Sequence, residues 1–126
     1  MTTRWESGRE SGLLDHIIAG RKTIEGRLNK SKFAQYKVAD TISLRRDVRD
    51  AAGMLHDGEP GSAIVKVLAI RKYSTFLELV TNEGYRAVIP DAKDAQSAAD
   101  IYNRYYSAAD QARYGVLAIE ITAVEL

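Results

Sequence analysis

Three ionic side chains, Lys22, Glu25 and Arg27, fall within six residues of the run Gly20-Arg21-Lys22-Thr23-Ile24-Glu25-Gly26-Arg27. Each cation can neutralise a phosphate, and the arginine can also bind bidentately or stack on a base. A carboxylate between two cations has its charged form favoured, which makes Glu25 a poor general acid by itself. If the three converge, they can hold one phosphate or one polar base edge. The same residues also allow a purely structural arrangement, an ion pair between Glu25 and Arg27 with Lys22 left solvated.

The elements that must position these side chains are legible on either side of them. Between Arg9 and Ala19, Leu13, Leu14, Ile17 and Ile18 make one apolar stripe at helical period, with Ser7 or Ser11 as cap and Gly20 as stop. Thr23 to Leu28 reads as a strand, and alternation then places Thr23, Glu25 and Arg27 on one face and Ile24 and Gly26 on the other. Thr41 to Arg46 predicts a second strand, whereas Val48 to His56 has no clear pattern. Gly58-Glu59-Pro60-Gly61 predicts a turn, since proline presets φ and glycine permits left-handed backbone. Ser62 to Tyr73, with Ile64, Val65, Val67, Leu68 and Ile70, predicts a long central strand. Ser74 or Thr75 then caps a short helix through Phe76, Leu77, Leu79 and Val80 that stops near Gly84. A further helix is expected from Asp94 to Tyr106, and a closing strand from Tyr114 to Val124. Strands toward both ends with helices between them imply an α+β fold in which the strands of Thr23–Leu28 and Tyr114–Val124 pair.

The octapeptide, written G-x-K-x-x-E-x-R, resembles the signature of the ASCH family. The likeness continues through Leu28-Asn29-Lys30 and through Lys37-Val38-Ala39-Asp40-Thr41-Ile42, which is similar to the family's K-V-G-D-x-I strand entry. Toward the C-terminus, Ile101-Tyr102 to Tyr105-Tyr106-Ser107 and Arg113 to Ile119 resemble its closing helix and strand, so the resemblance spans nearly the whole chain. It implies a PUA-like mixed β-barrel flanked by helices. It also implies that Lys22, Glu25 and Arg27 line a cleft that receives RNA or a modified base. One branch of the family resembles amidohydrolases that deacetylate N4-acetylcytidine with a lysine and a threonine three residues later. Here that later position is Glu25, and Thr23 lies two positions early, a displacement of roughly 6–7 Å along a strand. Other members are credited with cleaving single-stranded RNA.

Composition bounds the rest. At 126 residues the chain is expected to form a single domain over 1–126. Its 45% apolar and 28% charged residues are an ordinary globular mix. No apolar run approaches a membrane span and the N-terminus lacks a signal-peptide core, so a cytoplasmic location and no membrane partner are expected. The absence of cysteine excludes disulfides and thiolate chemistry, and two distant histidines argue against a metal cluster, so neither metal nor cofactor is expected. The net charge of +1 is distributed unevenly, because Arg21 to Arg46 holds eight basic residues against Glu25 and Asp40, a local excess of +6. That polarity predicts either an anion-attracting face or a solvated strand pair.

Lys30, Lys32, Arg45 and Arg46 are the phosphate contacts expected in addition to Lys22 and Arg27. Among the tyrosines, Tyr102 and Tyr105 at helical spacing belong in a core, which leaves Tyr106 as the face for stacking on an unpaired base. The expected function is therefore binding of nucleic acid, with single-stranded RNA favoured because its bases are accessible. The alternatives are an enzyme acting on RNA or a modified nucleoside, with Lys22 and Glu25 catalytic, and a scaffold whose basic face docks an acidic protein.

Overall fold

A strand that is apolar at consecutive positions must be covered on both faces. In the computed structural model, which describes residues 2–124, Val116-Leu117-Ala118-Ile119 is such a stretch and forms part of β5 (Val116–Val124). Val116 and Ala118 face one apolar core, while Leu117, Ile119 and Ile121 face another. The preceding elements in chain order are β1 (Arg4–Glu10), α1 (Ser11–Ile18), β2 (Ile24–Leu28), a 3₁₀ turn (Ser31–Gln35), β3 (Thr41–Arg49), β4 (Leu55–Tyr73), α2 (Phe76–Glu83), α3 (Tyr85–Val88), α4 (Ala95–Asn103) and α5 (Ala108–Tyr114). The strands form one sheet in the order β1-β3-β4-β5-β2, parallel between β1 and β3 and antiparallel elsewhere.

Two layers cover this sheet. On one face α1 and the 3₁₀ turn bring Leu14, Ile17 and Tyr36 against Ile42, Leu44, Val65 and Val67. On the other, α2, α3 and α4 bring Phe76, Leu79, Val80, Val88, Ala98 and Ala99 against Ile24, Leu28, Val116 and Ala118. Phe76, Leu79 and Val80 are fully buried, and each such side chain contributes about 1.5–3 kcal/mol relative to exposure. Thr75 caps α2 by accepting from the Glu78 amide at 3.1 Å, and Gly84 at φ 90° ends it. An ion-pair fork holds that helix to the sheet, because Arg71 of β4 donates to both oxygens of Glu83 at 2.6 Å and to Glu120 at 2.8 Å.

The α+β class expected from the sequence is present, and β2 pairs with β5 as anticipated, but the sheet is open and no closed barrel is formed. β1 and β2 are its two edges. They meet through side chains rather than a backbone ladder, with Arg9 of β1 bonded to Glu25 of β2 at 2.7 Å. The strand β1 was not anticipated, because the buried residues of its alternating row, Ser7 and Arg9, are polar and give no apolar period.

Three local expectations are also corrected. Gly58-Glu59-Pro60-Gly61 lies inside β4, where β4 advances four positions, from Glu59 to Ala63, while β3 advances two, from Arg46 to Leu44. A bulge absorbs the proline there. The chain reverses instead at Asp50–Met54, where the Asp50 carboxylate accepts from the amides of Ala52 at 2.9 Å and Met54 at 3.0 Å. Glu10, not Ser7 or Ser11, caps α1 through the Gly12 amide. The helix expected to reach Tyr106 ends at Asn103, and α5 follows it.

The entry to β3 fastens the N-terminal strand. Asp40, wholly buried, accepts from the Thr3 amide at 2.8 Å, the Trp5 indole at 2.9 Å and the Lys37 amide at 3.0 Å. Burial pushes its carboxyl up, but these three donors outweigh it and hold the group below the usual carboxylate range. The preceding residue, Ala39, stands at φ 76°, where a Cβ clashes with the backbone. Removing that Cβ relieves the clash at some cost in unfolded-chain entropy, so Ala39→Gly is expected to stabilise the protein by about 1 kcal/mol. Urea denaturation of the two proteins checks this, and a loss of stability would refute it.

Candidate functional site

Gly20, at φ 77°, ends α1, and the amides of Arg21 and Lys22 both donate to the His16 carbonyl, at 2.9 and 3.1 Å. This junction turns Lys22 inward. Its ammonium donates to the carbonyls of Ile24 at 2.8 Å and Val88 at 2.5 Å, tying β2 to α3, and lies 3.7 Å from Glu25. Glu25 is 4% exposed and Lys22 3%. Arg9 reaches Glu25 from β1 at 2.7 Å, and Arg27 reaches it along β2 at 3.5 Å. The three signature side chains therefore converge, and Arg9 joins them as a fourth member that sequence reasoning missed.

Burial and charge compete at both ends of this network. Burial pulls the Lys22 ammonium down to about 8, against the opposing pull of Glu25. Burial pushes the Glu25 carboxyl up, but Arg9 foremost, then Lys22 and Arg27, bring it down to about 2. Glu25 is therefore an anion at neutral pH, an acceptor and not an acid. Arg27 is the half-buried member: its guanidinium lies 4.9 Å over the Phe33 ring and donates to the Tyr106 hydroxyl at 3.3 Å.

The network floors a cavity of about 370 Å³ whose walls include Leu13, Ile89, Ile101, Tyr102 and Tyr105. Tyr102 is held by stacking on Phe76, with ring centroids 4.3 Å apart. Its closeness to the strand depends on Gly26, since a Cβ there would come within 2.8 Å of the tyrosine hydroxyl. Among the described residues that line this cavity there is no serine, threonine, histidine or cysteine. Thr23 borders a different cavity with Ile17 and Ile121. No three acidic or histidine side chains among the described residues gather to hold a metal, and no helix among them is long and apolar enough to cross a membrane.

The other expected contacts divide. Lys30, 5.0 Å over the Tyr114 ring, borders a second cavity together with Arg27 and Tyr106. Lys32 turns away and donates to the Glu6 carbonyl at 2.7 Å. Arg45 pairs with Asp47 at 2.5 Å and Asp57 at 3.1 Å, and Arg46 pairs with Asp15 at 2.9 Å. Neither arginine lines the cavity over Glu25. Acidic residues outside the basic stretch thus meet two of its eight cations, Arg45 and Arg46, among the described residues. The tyrosines exchange their expected places, for Tyr106 is half-buried and stacks on Phe76 at 5.2 Å, whereas Tyr105 is 71% exposed. The reason is that α4 has already ended. The amides of Tyr105 and Tyr106 both bond the Tyr102 carbonyl, at 3.0 Å, and helical spacing no longer assigns their faces.

The pattern of the ASCH domain matches residues 12–125. Among solved structures, the hypothetical protein PH0355 is 34% identical, with a TM-score of 0.80 over 96% of this chain and 99% of its own. The protein PF0455 from Pyrococcus furiosus is 35% identical, with a TM-score of 0.77 over 98% and 99%. ZmASCH from Zymomonas mobilis shares the fold at 11% identity, with a TM-score of 0.58 over 97% of this chain and 71% of its own. No curated protein matches the chain.

The network also contributes to the pH dependence of stability. Glu25 binds its proton less readily in the folded protein, so its contribution is full above its ordinary value of 4.5 and is lost as pH falls toward about 2. Lys22 releases its proton more readily when folded, so between about 8 and its ordinary 10.5 the unfolded chain holds more protons and stability rises with pH. Urea denaturation across pH should show both slopes. Glu25→Gln should reduce the acid slope, leaving the part due to Asp40 and other paired carboxylates, and cost about 3–5 kcal/mol at neutral pH by leaving buried cations uncompensated. Lys22→Met should weaken the alkaline rise.

Proposed function

Because the chain belongs to the ASCH domain family, we propose that it binds nucleic acid, preferring single-stranded RNA, and that an unpaired base enters the cavity over Glu25. The reading takes residues 1–126 as one such domain. The observation that carries it is the contrast between floor and walls. The floor presents N–H donors from Arg27 and Arg9 beside one ionised carboxylate acceptor, while aliphatic and tyrosine side chains form the walls. A nucleobase has the matching faces, an apolar plane with donors and acceptors along its edge, and only an unpaired base exposes both. Three cations against one carboxylate leave the floor positive, which favours a strand carrying phosphates. Lys22 serves the site indirectly, since its ammonium is held by two carbonyls and positions Glu25.

One observation favours a catalytic alternative: burial brings the Lys22 ammonium to about 8, within reach of proton transfer near neutral pH. Turnover of N4-acetylcytidine or of labelled RNA, lost in Lys22→Ala, would establish that reading. Against the deacetylation branch, Glu25 stands at the threonine position and Thr23 borders another cavity.

For the binding reading, a short single-stranded RNA is expected to bind more tightly than a duplex of the same sequence. With Arg27 and Lys30 as phosphate contacts, log affinity should fall against log salt with a slope of about −1.4, near −0.7 per contact. Arg27→Ala should weaken binding about tenfold and reduce that slope. Fluorescence anisotropy over a salt series measures all three. Equal affinity for the duplex, or indifference to Arg27→Ala, would refute the proposal.

A further inference from the structure

The cavity over Glu25 has a neighbour. A second cavity, of about 290 Å³, lies across Arg27, and Arg27, Tyr105 and Tyr106 are walls of both. Each is near the lower end of the volumes that enclose a small-molecule-sized group. The dividing guanidinium is underused. Its contacts with Tyr106 and Glu25 are long, at 3.3 and 3.5 Å, and its Nε is buried without a partner.

Resting on the nucleic-acid reading above, we infer that the site takes two consecutive nucleotides of one strand, the first base over Glu25 and the second nucleotide in the cavity across Arg27. The phosphodiester that joins them then passes over Arg27, which is more exposed than Lys22 and Arg9, the other cations around Glu25. Tyr105, 71% exposed at the divide, offers an aromatic face to either base.

The second cavity has the features a nucleotide requires. Lys30 lines it and Phe33 contributes an aromatic ring to its wall, while Asp110 places a carboxylate there. A carboxylate repels a further phosphate and accepts from a base amino group or a sugar hydroxyl. This cavity therefore suits the base and sugar of the second nucleotide, with its linking phosphate kept toward Arg27 and Lys30. Ser31, also in its lining, stands at φ 57°, a left-handed conformation unusual for a residue with a Cβ. Strain of this kind gathers where a binding surface must be held in one shape.

The full chain can be titrated with the four nucleoside 5′-monophosphates and with the dinucleotides ApA, CpC, GpG and UpU, followed by amide chemical shifts. The best dinucleotide is expected to bind at least about tenfold more tightly than the best monophosphate, the scale of one added base stack. The amides of Ser31 and Phe33 should respond to dinucleotides only. The double substitution Lys30→Ala with Asp110→Ala should bring the ratio of the two affinities toward one, with thermal melting as the check that the fold is kept. Equal affinities in the unsubstituted protein would overturn the second subsite while leaving the first. Binding of neither class would overturn the nucleic-acid reading itself.

Discussion

A carboxylate buried to 4% exposure persists as an anion only with counter-charges in contact, and Glu25 has three of them. Much of the architecture can be traced from that requirement. Arg9 comes from one edge of the open sheet and Glu25 from the other, so the ion pair does across the gap what a backbone ladder would do in a closed barrel. Lys22 extends the same network to α3 through the Val88 carbonyl. Each partner is itself buried or half-buried, which makes Glu25 the pivot of the group: removing its charge leaves three cations uncompensated in a medium that solvates them poorly.

The cavity follows from how the two sides of β2 are used. Glu25 and Arg27 share a face with their β5 partners Ile119 and Leu117, whereas Gly26 lies opposite Ala118 on the face that meets α2, α3 and α4. The missing side chain at Gly26 admits Tyr102, and Tyr102 is held by Phe76, whose helix is fastened to the sheet by Arg71 and Glu83. A polar floor and an aromatic wall thus arise from adjacent residues of one strand. Their alternation is local, but what each face meets depends on distant elements.

The parts of this arrangement legible in the sequence are those that depend on near neighbours. The helix α2 could be read because Thr75, the apolar residues after it and Gly84 lie within ten residues of one another, and β5 because its apolar run is continuous. The strand β1 could not, since its inward row holds Ser7 and Arg9, which bond each other, and the charge that lets Arg9 be buried there, Glu25, comes from the opposite edge of the sheet. The basic stretch misled in the same way. Beyond the adjacent Asp47, Arg45 and Arg46 gain the partners Asp57 and Asp15 only when the fold brings these beside them. Gly58-Glu59-Pro60-Gly61 has the composition of a turn and serves as a bulge, because the pairing of β3 with β4 continues beyond it.

From the sequence alone came the α+β class, the helix before the signature, the pairing of β2 with the last strand, the family, and the placing of Glu25 and Arg27 on one strand face. These rest on periodicity, caps and alternation, whose interactions span a few residues. Tertiary structure alone decided that the sheet stays open, that Arg9 completes the site, that Lys22 is sealed by two carbonyls, and that Tyr105 rather than Tyr106 is exposed. Those outcomes turn on pairs as far apart as Lys22 and Val88, and such pairs exist only once strand order and register have brought them together.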